Sequence, residues 1–117
     1  MSTTNGTEYG KQMACAAAND PVYAYRLGKI ACSEGSALGI NWAFAPVVDI
    51  DRNYHNPITN VRTYGDDPEK VYAYAREYLR AADAICFPYA VPLVAAPSPP
   101  ASKFDGIRSG IFVCSCA

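Results

Sequence analysis

The sequence predicts an α/β fold made of a helix, a buried strand, a long loop and a second helix. Two segments, residues 21–38 and 67–82, place apolar side chains at helical spacing. Between them, residues 40–48 form an apolar run of strand length whose only polar residue is Asn41. Because near-continuous apolarity over this length is typical of strands covered on both faces, the run predicts a strand of a parallel sheet.

The first helix has clear start and stop signals. Asp20 can accept a hydrogen bond from a backbone N–H at the helix start, and Pro21 suits the first helical position, where no N–H is needed. Gly39 supplies the left-handed residue that commonly ends a helix. The apolar positions at helical spacing are Tyr23, Leu27, Ile30, Ala31 and Leu38.

The strand leads into a polar loop. Pro46 cannot donate to a sheet ladder, so we expect pairing to weaken near Val47 and the chain to leave the sheet around Asp49. Residues 49–66 are rich in Asp, Asn, Pro and Gly and show no period, which predicts a long loop. Loops of this length are often functional.

The second helix begins at Asp67-Pro68-Glu69, which repeats the start signal of the first. Its amphipathic stripe comprises Val71, Ala75, Tyr78, Leu79 and Ala82.

The composition changes after Asp83. Residues 84–117 hold five of the nine prolines and three of the five cysteines, but only three charged side chains. Pro88 and Pro92 each lack the N–H that a strand over 84–96 would need, so we predict an irregular Pro-rich tail at 84–117 and a domain limited to residues 1–83.

Charge and cysteine content narrow the classes of partner. Ten Lys and Arg against eleven Asp and Glu leave a formal charge of −1, which favours neither nucleic acid nor an anionic membrane. The five cysteines show no Cys-x-x-Cys spacing and His55 is the sole histidine, so we expect reduced thiols in the cytoplasm, no metal and no cofactor.

The 117 residues fall far below the roughly 250 of a complete (β/α)8 barrel.

Several linked motifs resemble the amino-terminal barrel domain of family 3 glycoside hydrolases, which includes β-glucosidases and β-N-acetylhexosaminidases. The stretches that carry the resemblance are Gly-Thr-Glu-Tyr-Gly at 6–10, the helix at 20–38, Ala-Phe-Ala-Pro-Val-Val-Asp-Ile-Asp at 43–51, Asn-Pro at 56–57 and Arg-Thr-Tyr-Gly-Asp-Asp-Pro at 62–68. The resemblance covers residues 6–83 and implies a fragment of a (β/α)8 TIM-type barrel.

The resemblance implies that Arg62 binds sugar hydroxyls next to the scissile bond. A planar guanidinium with five donors can bridge two hydroxyls. The structural alternative is that Arg62 pairs with Asp66 or Asp67 and only stabilises the loop. Asp49 and Asp51 follow the strand, where barrel enzymes mount ligand-binding groups, and we name them with Arg62 as candidate substrate-binding residues.

The same two carboxylates have a structural interpretation that we favour, as organisers of the loop. A retaining glycosidase needs carboxylates that flank the sugar, whereas Asp49 and Asp51 share one neighbourhood. The family nucleophile lies on a much later strand. His55 matches no family role and is expected to be solvated. Most of Trp42, Tyr72, Tyr74 and Tyr78 are expected to be packing residues.

The departure from the family begins after the second helix. The family continues into a Lys-His-Phe-Pro-Gly motif that contacts the sugar, whereas residues 85–89 read Ile-Cys-Phe-Pro-Tyr. The resemblance implies hydrolysis of terminal β-linked glucosides or N-acetylglucosaminides. The departure implies that these residues alone are an inactive fragment, which is either truncated or the product of a frame-shifted gene. The alternatives are a non-catalytic α/β module that binds a sugar or a protein, and a piece that self-associates through exposed strand edges.

Overall fold

The computed structural model describes residues 5–53, 55–85, 87, 89 and 90. Its elements in chain order are α1 (Gln12–Ala17), α2 (Val22–Ala37), β1 (Ala43–Phe44), a 3-10 helix (Asn60–Arg62), α3 (Pro68–Asp83) and β2 (Tyr89–Ala90). The predicted order of helix, strand, loop and helix is confirmed, and α1 is an additional element. None of the helices in the described part is long and apolar enough to cross a bilayer.

The end of α2 forms as the sequence predicts, whereas its start is one residue later than predicted, because Pro21 is the N-cap and Val22 the first helical residue. Asp20 Oδ1 accepts a hydrogen bond from the backbone N–H of Val22 at 2.9 Å. At the other end Gly39 adopts φ +78°, and the N–H groups of Gly39 and Ile40 donate back to carbonyls of the last turn at 3.0 Å. These paired bonds satisfy carbonyls that a helix end would otherwise leave without partners.

The start of α3 also matches its prediction. Asp67 Oδ1 accepts from the N–H of Glu69 at 3.0 Å, and Pro68 occupies the first helical position. The buried face consists of Val71, Tyr74, Ala75, Tyr78, Ala81 and Ala82. The amphipathic stripe is therefore confirmed, with Leu79 at its half-buried margin.

The core lies between α2 and α3, which pack closely where Gly28 meets α3. A Cβ on Gly28 would lie 2.7 Å from the carbonyl oxygen of Tyr78, so only glycine fits without a shift. The rings of Tyr64 and Tyr74 pack at 5.4 Å between centroids, and Phe87, which is 4% exposed, lies against Gly35.

The amino-terminal segment is tied to α2 by one carboxylate. The backbone N–H of Thr7 donates to both carboxylate oxygens of Glu34 at 3.1 and 3.2 Å, and the Thr7 hydroxyl donates to the same carboxylate. These bonds hold Thr7, within the resembled stretch at 6–10, against Glu34 of α2.

The predicted strand at 40–48 is much shorter than expected. Only Ala43 and Phe44 pair, in parallel with Tyr89 and Ala90, and α3 provides the crossover between the two strands. Ala43 packs on the core whereas Phe44 is 74% exposed, so within the described residues the prediction of a strand covered on both faces is wrong. Successive strand residues face opposite sides, and the helices cover only one of them.

The prediction of an irregular tail is also wrong for two of its residues. Tyr89 and Ala90 form β2, a dipeptide that lies between Pro88 and Pro92 in the sequence, so neither proline has to donate within it. Ala84, Ile85 and Phe87 form no helix or strand, as predicted, and residues 86, 88 and 91–117 lie outside the described residues.

Burial of Cys32 predicts a loss of stability in mild alkali. Burial raises the pKa of the Cys32 thiol to about 11 from its ordinary value of 9.0, partly opposed by a hydrogen bond with Tyr78. Between pH 9 and pH 11 the folded chain therefore keeps a thiol proton that the unfolded chain loses. The contribution of this proton to the free energy of unfolding is complete below pH 9 and is lost as the pH rises toward 11.

Urea unfolding at a series of pH values across this window tests the prediction. Cys32→Ala is expected to flatten the fall in unfolding free energy above pH 9, whereas Ser33→Ala, at an exposed neighbouring position, is expected to leave it unchanged. An equally steep fall in Cys32→Ala and the wild type would contradict the assignment.

Candidate functional site

The candidate site forms where the chain leaves β1. Val48 and Asp49 are buried, and Asp49 is only 2% exposed. A carboxylate this far inside the protein is poorly placed to meet a ligand from solution. Its burial fits the loop-organising interpretation better than direct sugar contact.

Asp51 joins the two ends of the long loop. Its backbone N–H donates to the carbonyl of Gly65 at 3.0 Å, and its Oδ1 accepts from the Thr59 hydroxyl at 3.4 Å. Thr59 is itself buried, and Gly65 adopts φ +125°, a conformation that a side chain would strain. The loop at 49–66 therefore closes on itself at Asp51.

Arg62 lies on the exposed side of this closed loop, at the end of the 3-10 helix. Within the described part of the chain no ion pair joins it to Asp66 or Asp67. The structural alternative of a loop-stabilising pair therefore has no support in this geometry, and Arg62 is exposed to solvent.

Short asparagine turns organise the loop that precedes Arg62. Asn53 Oδ1 accepts from the N–H of His55 at 3.1 Å, and Asn56 Oδ1 accepts from the N–H of Ile58 at 3.0 Å. Such turns let a loop without helix or strand satisfy its own backbone. The side chain of His55 is exposed, in agreement with its expected place in solvent.

Gln12 contributes to this site although no sequence pattern selects it. Its Nε2 donates to the carbonyl of Val47 at 3.0 Å, and its Oε1 accepts from the N–H of Val47 at 3.1 Å. Helix α1 also packs against the 3-10 helix that carries Arg62. A polar residue in a six-residue helix has no pattern that would distinguish it from solvent-exposed neighbours.

Aromatic residues divide between core and surface. Tyr74 and Tyr78 are buried, which confirms that they pack, and burial raises the pKa of both hydroxyls. Trp42 and Tyr72 are 38% and 41% exposed, so the packing prediction is wrong for these two. The ring centroid of Trp42 lies 6.3 Å from that of Phe44, which is also exposed. Across the described ranges, no three His, Cys, Asp or Glu side chains come together as a metal site would require.

A βα unit with a polar, closed loop after its strand is characteristic of α/β proteins, the class in which ligands commonly bind at the carboxyl ends of the strands. The sequence matches the family described as "Glycosyl hydrolase family 3 N terminal domain" over residues 1–85. The chain belongs to this family.

Curated relatives agree with this assignment. A "Beta-N-acetylglucosaminidase/beta-glucosidase" from Cellulomonas fimi is 49% identical over 84 residues, which is 72% of this chain and 15% of the relative. A "Beta-hexosaminidase A" from Pseudoalteromonas piscicida is 40% identical over 50 residues, 43% of this chain and 8% of the relative. The chain therefore spans only a small part of the curated proteins it matches.

Solved structures share the fold. A beta-glucoside phosphorylase, BglX, bound to 2FGlc is 41% identical with a TM-score of 0.75, covering 82% of this chain and 17% of that one. A family 3 β-N-acetylglucosaminidase from Paenibacillus sp. str. FPU-7 is 35% identical with a TM-score of 0.75, covering 80% and 18%.

Proposed function

We propose that this chain carries the Arg62 sugar contact of a family 3 glycoside hydrolase acting on terminal β-linked glucosides or N-acetylglucosaminides. The observation that carries the proposal is the position of Arg62, exposed at the end of a 3-10 helix and without an ion pair to the neighbouring aspartates. In this proposal Asp49 and Asp51 organise the loop that carries Arg62, Asp49 from its buried position and Asp51 through its bonds to Gly65 and Thr59. The names of the relatives supply the class of substrate, a β-linked glucose or N-acetylglucosamine unit.

The proposed architecture is part of a (β/α)8 barrel. Its support is the parallel pairing of β1 with β2 across the α3 crossover, together with the uncovered face that Phe44 presents. Residues 1–83 form the family-like part in this proposal and 84–117 the divergent tail, although the family match extends to residue 85. The reduced thiols of Cys15 and Cys32 support a cytoplasmic setting.

On this proposal the 117 residues alone do not turn over substrate. The family nucleophile and acid/base are not matched within them, and no route to an oxocarbenium-like transition state remains without those groups. Purified chain is expected to leave chromogenic β-glucoside and β-N-acetylglucosaminide intact, whereas turnover would contradict the fragment interpretation. Translation of the coding sequence in the other frames past Asp83 tests the frame-shift hypothesis, which fails if no Lys-His-Phe-Pro-like continuation appears.

A second candidate is a non-catalytic module that binds a protein or a second copy of itself. Ile58 and Val61, beside Arg62, are 54% and 37% exposed, and Phe44 is 74% exposed on the uncovered face of β1. Apolar side chains at such positions suit a protein surface or an open strand edge. Concentration-dependent dimerisation without any sugar binding would favour this candidate.

Arg62→Ala tests the primary proposal. Loss of hydrogen bonds from a charged donor is expected to weaken binding of methyl β-glucoside or N-acetylglucosamine by about 10-fold to 100-fold, measured by NMR titration. Arg52→Ala is the matched control, because Arg52 is an exposed arginine of the same loop and is expected to leave the affinity unchanged. Equal losses in the two variants would show only a general effect of charge.

A further inference from the structure

We infer that Gln12 is a positioning residue for Arg62, acting through Val47 and the loop at 49–66. The carboxamide of Gln12 both donates to and accepts from the backbone of one residue, Val47, at 3.0 and 3.1 Å. Two residues that exchange both bonds are the hydrogen-bonded pair of an antiparallel ladder. The side chain thus takes the place of a neighbouring strand.

The Gln12 side chain takes this role at a point where, within the described residues, no strand of the sheet pairs with the chain. The β1 strand ends at Phe44, and Pro46 has no N–H, so Val47 lies just beyond the ladder. Its N–H and carbonyl are partly buried and need partners. Gln12 supplies both and thereby fixes the direction in which the chain leaves β1.

Only four positions separate Val47 from Asp51, the residue at which the loop closes. Val48 and Asp49 are buried after Val47, and Asp51 then donates to Gly65 and accepts from Thr59. Because buried segments are closely packed, a shift at Val47 is passed on to Asp51 rather than absorbed.

The opposite side of the site rests on the same helix. Helix α1, which carries Gln12, also packs against the 3-10 helix that ends at Arg62. One short helix therefore sets the separation between the strand exit and the arginine. The positioning of Arg62 for sugar rests on the proposed function, whereas the effect on the loop does not.

Gln12→Met tests the inference, since the side chain keeps its length and loses both hydrogen bonds. We expect faster amide hydrogen exchange at Val47 and Asp51, protected amides in α3, and a loss of about tenfold in affinity for methyl β-glucoside. Ala17→Met places the same side chain at an exposed position of α1 and is expected to change none of these.

Faster exchange at Val47 with unchanged exchange at Asp51 and unchanged affinity would overturn the inference and leave the proposed function standing. If the wild type binds neither methyl β-glucoside nor N-acetylglucosamine, the proposed function fails and Asp51 exchange alone decides. Should Gln12→Met also lose protection in α3, Gln12→Glu replaces it, because it keeps the acceptor for the Val47 N–H and loses only the donor. Unchanged Asp51 exchange in folded Gln12→Glu would then overturn the inference.

Discussion

Phe87→Ala is expected to lower the free energy of unfolding by about 3 to 5 kcal/mol, the usual cost of removing a buried aromatic ring. Phe87 is 4% exposed, packs against Gly35 of α2, and its backbone N–H donates to Ala82 at 3.1 Å. It belongs to the core although the composition of the sequence changes before it. Chemical denaturation with a far-ultraviolet circular dichroism signal measures the change.

Ile85→Ala is the matched control for Phe87→Ala. Ile85 lies two positions earlier and is 37% exposed, so its truncation is expected to change stability by only about 0.5 kcal/mol. Equal effects of the two substitutions would mean that residues beyond Asp83 do not pack as described. A large effect at Phe87 alone would place the end of the cooperative unit beyond the family-like part.

Gly28→Ala is expected to destabilise the chain by about 1 to 3 kcal/mol, although alanine is the better helix former. The added methyl would lie 2.7 Å from the Tyr78 carbonyl oxygen and 3.2 Å from Ala81 Cβ, so α2 and α3 must separate. The contact is with backbone, which cannot rotate away as a side chain can.

Gly35→Ala provides a control of the opposite sign. A Cβ there meets the Phe87 ring at 3.5 Å, an ordinary contact, so helix propensity should stabilise the chain by up to about 1 kcal/mol. Thermal unfolding of the two single variants distinguishes them. Stabilisation by both would contradict the close approach of α2 and α3 at Gly28.

The helix ends that depend only on neighbouring residues in the chain were predictable from the sequence. Asp67 caps α3 and Gly39 ends α2 because each needs only its near neighbours along the chain. Helix α1 was not predictable, since Lys11 provides no side-chain cap and the contacts of Gln12 are with a residue 35 positions away. The length of β1 likewise depends on neighbouring strands, which an apolar run alone does not specify.

The candidate site shows the same division. The resemblance selects Arg62 by sequence, but its exposure and lack of an ion pair to Asp66 or Asp67 follow from the folded loop. Asp49 and Asp51 look equivalent in the sequence. A tight turn at Asp51, in which the Arg52 N–H donates to the Ile50 carbonyl at 2.9 Å, gives the two carboxylates different surroundings.

The parallel pairing of Ala43 with Tyr89 has a consequence for the order of folding. The two residues are paired across a long stretch of chain that includes the whole of the loop and α3. Bringing the two ends of so long a segment together costs conformational entropy, and a two-residue ladder offers few contacts to offset that cost. Pairing of the strands is therefore unfavourable until α2 and α3 have packed against each other. We therefore expect the helix pair to form the folding nucleus and the two strands to meet last.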